Sequence, residues 1–438
     1  MKAKLFFFAL AAFVTICTFA QPNIYPAKKF KGHLYIVNGT VHVGNGTILE
    51  KTTVEINDEK IFAVSPNIPI PTDSNNVRVI DATGKQVYPG LILSSSDLGL
   101  KEIANGVKGS NDFSEIGEYN PSVRSIVAYN ADSKVIGTLR ANGILLANIT
   151  PEGGIISGSS SVVQLDAWNW NDAAYKYENA IHLNMPSFIP KKPRWAASTI
   201  KTTAANPESI AIAKFDSIKT FFRQAKAYLS DNTHSNTNLK FEAIKGLFNG
   251  QQKLFIHANE AKQMLAAISL QKEFNFDIVF VGASESFLIA DLLKQNNIAV
   301  ILNQEHALPS TEDDDIDQPY KTPYILQKAG VLFALNDASD EPRYRNLSFN
   351  AGTAAAYGLT KEQALQAITL NAAQILGIAD KTGSIEKGKD ANLIITDGDI
   401  LDMKTSNVRF AFIQGREVSL ENKQTQLYKR YQYKYHIK

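Results

Sequence analysis

The chain has 438 residues, with 45 basic against 43 acidic side chains and a single cysteine, Cys17. This near-neutral balance points to neither nucleic acid nor an anionic membrane as a bulk partner, and leaves small-molecule chemistry or protein binding open. The length suits two or three domains, or one large barrel with additions, so a sizeable core can form without disulfides.

Residues 1–20 read as a secretory signal, with Lys2 and Lys4 ahead of an apolar run over residues 5–17 and Thr18-Phe19-Ala20 as a small-x-small cleavage site. The run is too short for a membrane span. Ile16 stands where a lipoprotein signal needs a small residue, so cleavage before Gln21 and export to the periplasm are expected. The mature chain would then have no disulfide, no thiolate ligand and no thiol nucleophile.

Over residues 30–86 short alternating runs are broken at Asn38-Gly39, Asn45-Gly46 and Asn57-Asp58, which predicts β-hairpins. These strands are too few to close a domain alone. Similar material returns over residues 379–425, so a small β-sandwich domain built from both chain ends is expected. Between them, over residues 87–378, apolar runs without alternation recur between helical stretches: "VYPGLILSS", "ILLANIT", "GSSSVVQLD", "KLFIHA", "FDIVFVG", "IAVILN" and "GVLFALND". Such runs suit parallel strands buried on both faces and predict an α/β fold, a (β/α)8 TIM-type barrel. Seven strands are legible, and an eighth should lie between residues 157 and 255. "DAWNWNDAAYKY" within that interval reads as a loop, either a wall or lid over a pocket or packing onto the barrel. The last barrel helix opens with a capping box, Thr360 and Gln363, and stops at Gly377. The basic, aromatic tail, residues 426–438, reads as an edge strand or surface tail.

Two stretches, "VIDATGKQVYPGLI" and "GLTKEQALQAITLNAAQILGIADKTGSIEKGKDANLIITDGD", resemble the terminal signatures of the metal-dependent amidohydrolase superfamily, at the entry to barrel strand 1 and the exit from the last helix. Within it the chain is most similar to imidazolonepropionase-like exported amidohydrolases. The resemblance implies hydrolysis of a non-peptide carbon–nitrogen bond, of the cyclic amide or amidine type, by metal-activated water. It also implies ligands from a His-x-His after strand 1, from His residues after strands 5 and 6, and from an Asp after strand 8.

Here the strand-1 positions hold Ser95 and Asp97, and Leu93 occupies the place of an acidic residue. Strand 5 keeps His257, strand 6 has Gly282-Ala283 with Glu285 beyond, and strand 8 offers Asp337. The implied site is therefore at most one divalent ion, zinc or else manganese or iron, on Asp97, His257 and Asp337, with Asp337 as general base. Ser95 is a poor ligand unless ionised. Glu152 could serve a one-metal variant of the site, although a flexible Gly-Gly turn explains the same stretch. Arg343 and Arg345 could grip a substrate carboxylate or pair with surface acids. "EDDDIDQP" reads as a solvated loop rather than a calcium site.

Three readings follow. One is an exported amidohydrolase acting on a small molecule. The second is a metal-free, catalytically silent homologue that serves as a binding module, as a homo-oligomer or as partner of an active homologue. The third is an unrelated periplasmic ligand-binding protein, which leaves both signatures unexplained.

Overall fold

A computed structural model describes residues 25–71, 76–102, 111–189, 207–231, 233–234, 236–303, 306–309, 314–338 and 341–437. The expected leader lies outside the described residues.

The N-terminal segment forms β1 (His33–His42), β2 (Ile48–Asn57), β3 (Lys60–Ser65), β4 (Val77–Asp81) and β5 (Gln86–Pro89). The barrel sheet follows, with β6 (Leu91–Ser96), β7 (Ile144–Ile149), β8 (Ile156–Gln164), β9 (Ala174–Asn184), β10 (Lys253–Ala258), β11 (Ile278–Gly282), β12 (Ala299–Leu302) and β13 (Phe333–Leu335). The chain then returns to the first domain as β14 (Leu393–Thr396), β15 (Val408–Ile413) and β16 (Arg416–Glu417).

The small domain is one hydrogen-bonded sheet in the order β16-β15-β14-β5-β1-β2-β3, with β4 beside β1. Strand β1 bends at Asn38, whose φ is 61°, so that its first half pairs with β4 and its second with β5. The edge strand β3 is met by the segment ahead of β14: Ile61 donates to the carbonyl of Lys389, and Lys60 pairs with Asp390. The enclosed core comprises Leu34, Ile36, Val54, Ile56, Val87, Leu393, Ile395 and Phe412. Both chain ends are thus required to cover it.

The barrel sheet runs β6 to β13 in chain order, eight strands in all. Its interior holds a residue from every strand: Ile92, Leu146, Val162, Ala180, Phe255, Val279, Ile301 and Ala334. Alternate residues such as Leu91, Leu93, Leu254, Ile256, Ile278 and Phe280 pack outward. This two-sided burial is why the runs lack polar alternation. The helix Leu370–Leu376 supplies Ala372, Ala373, Ile375 and Leu376 to the interior cluster. It closes the end where strands begin, since Asn371 bonds the carbonyl of Phe333 and Ile368 accepts from Ile92. Thr360 and Gln363 form the expected capping box.

Two features of the barrel depart from the sequence expectation. The eighth strand is β9, within which Tyr175 and Tyr177 lie, rather than a loop. Its polar first half hides it, because only residues from Asn179 to Leu183 are fully buried. In addition, β8 runs antiparallel to both β7 and β9. A parallel neighbour needs a long crossover, whereas only a short hairpin joins β7 to β8. Its turn uses Gly153 and Gly154 at φ of 86° and 63°, and a Cβ on Gly154 would stand 2.7 Å from the carbonyl oxygen of Gly117.

The first and last barrel strands meet through a side chain. Asn336, fully buried, accepts at Oδ1 from the amides of Ser94 and Ser95 (3.0 and 3.2 Å) and donates to the carbonyl of Ser95 (2.9 Å). The C-terminal tail is an α-helix, Lys423–Tyr435, and not an edge strand.

Candidate functional site

At the strand C-terminal ends the apolar layer gives way to a cavity of about 420 Å³. Ser95, Ser96 and Asp97 line it from the end of β6, Thr150 to Gly154 from the β7–β8 hairpin, Asn184 from β9 and His257 from β10. Asn303, Ala338 and Tyr344 complete the wall.

The Ser94-Ser95-Ser96 run is structural in part. Ser95 Oγ lies 3.2 Å from Thr150 Oγ1, and Ser96 Oγ donates to the carbonyl of Asn148. These bonds tie β6 to β7 where the backbone register slips between Leu93 and Ser96. Asp97 follows, almost fully buried. Its Oδ1 accepts from the Tyr344 hydroxyl, and its Oδ2 lies 3.7 Å from the Lys101 ammonium. Burial, reinforced by the charge and hydrogen bond of Asp97, pushes the Tyr344 phenol far above its ordinary value of 10.0. Tyr344 is therefore a fixed donor at neutral pH. The Glu152 carboxyl is also raised, first by the protein crowded around it and then by Asp97, against the opposing effect of Lys101.

His257 is half-buried at the cavity wall, and its Nε2 lies 2.9 Å from Nδ1 of the wholly buried His182. Burial lowers His257 to about 4, and burial together with His257 lowers His182 well below 6.5. Both rings are neutral at physiological pH and share one N–H, because a second proton would place a cation in an apolar wall.

The structure thus brings Asp97, Ser95, Glu152 and His257 to one cavity. Asp337 lies two residues past β13, almost fully buried, and accepts from Asn350 Nδ2 at 3.2 Å, but it is absent from the cavity lining. Arg343 and Arg345 are exposed and outside that lining, while Tyr344 between them turns inward. Glu285 accepts from the amide of Ala261 rather than facing the cavity.

Tyr344, Lys101 and His182 escaped sequence reasoning. His182 sat in an unassigned strand, yet the run "AIHLN" ahead of Met185 was the available signal. The short turn Glu341–Asn346 gave Tyr344 no periodicity to mark it.

A metal does not fit this donor set as arranged. Among the described residues no group of three His, Cys, Asp or Glu side chains converges to hold an ion. Asp97 is engaged by a phenol and approached by an ammonium, and the Nε2 of His257 is engaged by a second imidazole. An ammonium beside a carboxylate already supplies the positive charge that a cation would bring.

Comparison with known proteins places this geometry. Residues 325–418 match the Amidohydrolase family model. An imidazolonepropionase of Picrophilus torridus is 34% identical over 175 residues, 38% of this chain and 42% of that protein. The match therefore spans less than half of that relative. Among solved structures, an amidohydrolase from Thermotoga maritima superposes with a TM-score of 0.74 at 24% identity, over 88% of this chain and 99% of that one. A zinc-bound adenosine deaminase from Xanthomonas campestris superposes at 0.53 and 15% identity, over 94% and 99%. The C-terminal family match and the imidazolonepropionase similarity, each over part of the chain, support assignment to the amidohydrolase superfamily, and the solved amidohydrolase shares the fold over most of the chain.

Proposed function

We propose that the barrel mouth binds a small nitrogenous molecule of the cyclic amide or amidine type, without the metal-activated water used by the superfamily's hydrolases. The observation that carries this reading is the closed donor set, in which Tyr344 and Lys101 hold Asp97 and His182 holds His257. The carboxylates of Asp97 and Glu152 accept from ligand N–H groups, and the amides of Asn184 and Asn303 complement a ligand carbonyl. Tyr344 orients Asp97 by donating to it, and Lys101 offsets the negative charge of the two acids. Export to the periplasm, and a role as partner of an active homologue, belong to the same proposal.

The test combines metal analysis of the purified protein, calorimetry with a panel of cyclic amides, amidines and ureides, and a hydrolysis assay on that panel. The expected result is substoichiometric metal, saturable binding lost in Asp97→Asn, and no turnover.

A second reading is favoured by the meeting of Asp97, Glu152 and His257 around one cavity. It is a hydrolase of non-peptide carbon–nitrogen bonds with one zinc, manganese or iron ion on Asp97, His257 and Asp337. About one equivalent of metal, lost together with turnover in His257→Ala, would establish it and overturn the first.

A further inference from the structure

The C-terminal helix, Lys423–Tyr435, buries none of its residues. Its start is anchored: Asn422 and Thr425 form a capping box, and Thr138 donates to Gln424 at 3.1 Å. From Leu427 onward all but Gln432 are exposed. A helix this short is marginal in water when unsupported, because isolated helices below about 12–15 residues gain too little to offset nucleation.

Its exposed residues have a pattern. Tyr428, Tyr431 and Tyr435 are 65%, 53% and 59% exposed and, at spacings of three and four, share one face with Leu427 beside them. The rings of Tyr431 and Tyr435 stack, with centroids 6.2 Å apart. Lys423, Arg430 and Lys434 fall in a row along one edge of that stripe, and residues 423–437 contain no acidic side chain. Lys429, elsewhere on the helix, pairs with Glu421 at 2.9 Å.

We propose that this helix docks on the surface of an anionic lipid bilayer, with the tyrosine stripe at headgroup level and the basic row on lipid phosphates. Phenolic rings suit that boundary because their bodies are apolar and their tips polar. The basic row supplies charge complementarity, and interfacial helices combine these two elements. Pairing with the same helix of a second copy would oppose two basic rows across a self-complementary contact. No described helix is long and apolar enough to cross a membrane, so the helix lies on the surface instead of spanning. The near-neutral whole chain conceals this local concentration of charge.

The experiment is co-sedimentation of the mature chain with phosphatidylglycerol–phosphatidylcholine vesicles and with phosphatidylcholine alone. Binding is expected only with the anionic lipid, weakening with salt. It should fall about tenfold or more in the triple variant Lys423→Gln, Arg430→Gln, Lys434→Gln. The variant Tyr428→Ser, Tyr431→Ser, Tyr435→Ser should fall likewise, with an unchanged thermal midpoint showing that the domains remain folded. Absence of vesicle binding, equal binding to neutral vesicles, or binding unaffected by both variants would overturn the proposal. So would a concentration-dependent dimer abolished by the tyrosine variant without vesicle binding, which would assign the stripe to a second copy.

Discussion

A single residue separates Ile92, inside the apolar layer of the barrel, from Ser94 at its polar rim, and Asp97 lies three residues beyond Ser94. The layer takes an apolar side chain from each of the eight strands. At the rim of the same strands stand hydroxyls, amides and acids, several of them bonded to one another. The difference teaches that the two levels answer to different constraints. Any close-packing set of apolar residues maintains the layer. The rim carries a particular set of donors and acceptors, so a change at Ser95 or Asp97 alters what the mouth can hold while leaving the barrel intact.

The sharpest way to break that contrast is to cut into the layer. Phe255→Ala removes a fully buried ring and should cost about 3–5 kcal/mol, read as a lower urea midpoint with the slope unchanged. A loss comparable to a surface substitution would show that the interior does not determine stability. At the rim, Tyr344→Phe deletes only the hydroxyl that donates to Asp97 and should cost about 1–3 kcal/mol. Its larger consequence should be weaker binding of the cyclic amide or amidine ligands by calorimetry, because Asp97 loses its orienting partner. Unchanged affinity would remove Tyr344 from the site.

The smallest effect concerns the joint between domains. His42 on β1 meets Glu362 at 2.6 Å and Gln86 at 2.9 Å, and stacks on Tyr88. Burial alone would lower its pKa, but the hydrogen bonds to Glu362 and Gln86, with the charges of Glu362 and Asp399, raise it above 6.5. Folding therefore favours the protonated ring. Its stabilisation is complete below pH 6.5 and is lost as pH rises through the raised value. His42→Gln should flatten that part of the midpoint-versus-pH curve, and a curve unchanged by the substitution would place the slope elsewhere.

Much of this architecture was legible because it rests on burial. Runs such as "LFI" in β10 and "IVFV" in β11 announce strands covered on both faces, and Thr360 with Gln363 announces a helix start. What stayed illegible depends on contacts distant in sequence. Strand β9 begins with exposed, mixed residues and becomes apolar only where β8 and β10 cover it. The antiparallel direction of β8 depends on a turn at Gly153-Gly154, which reads equally as a loop. At the mouth, the sequence pointed to Asp97, His257 and Asp337, with Ser95 and Glu152 as weaker candidates; all but Asp337 line one cavity. It could not reveal the partners of Asp97 and His257, since Tyr344 lies 247 residues from Asp97 and His182 lies 75 from His257.

The Asn336 amide turns barrel closure into a clasp. Elsewhere neighbouring strands are held by ladders, which any sequence able to extend can form. Here one carboxamide, with its acceptor on two amides and its donor on one carbonyl, sets the alignment of strands 242 residues apart. No aliphatic or carboxylate side chain can reproduce both polarities. The ring is thus fastened at Asn336, whose bonds reach Ser95 two residues ahead of Asp97, so the shape of the mouth and the completion of the barrel share one bond set.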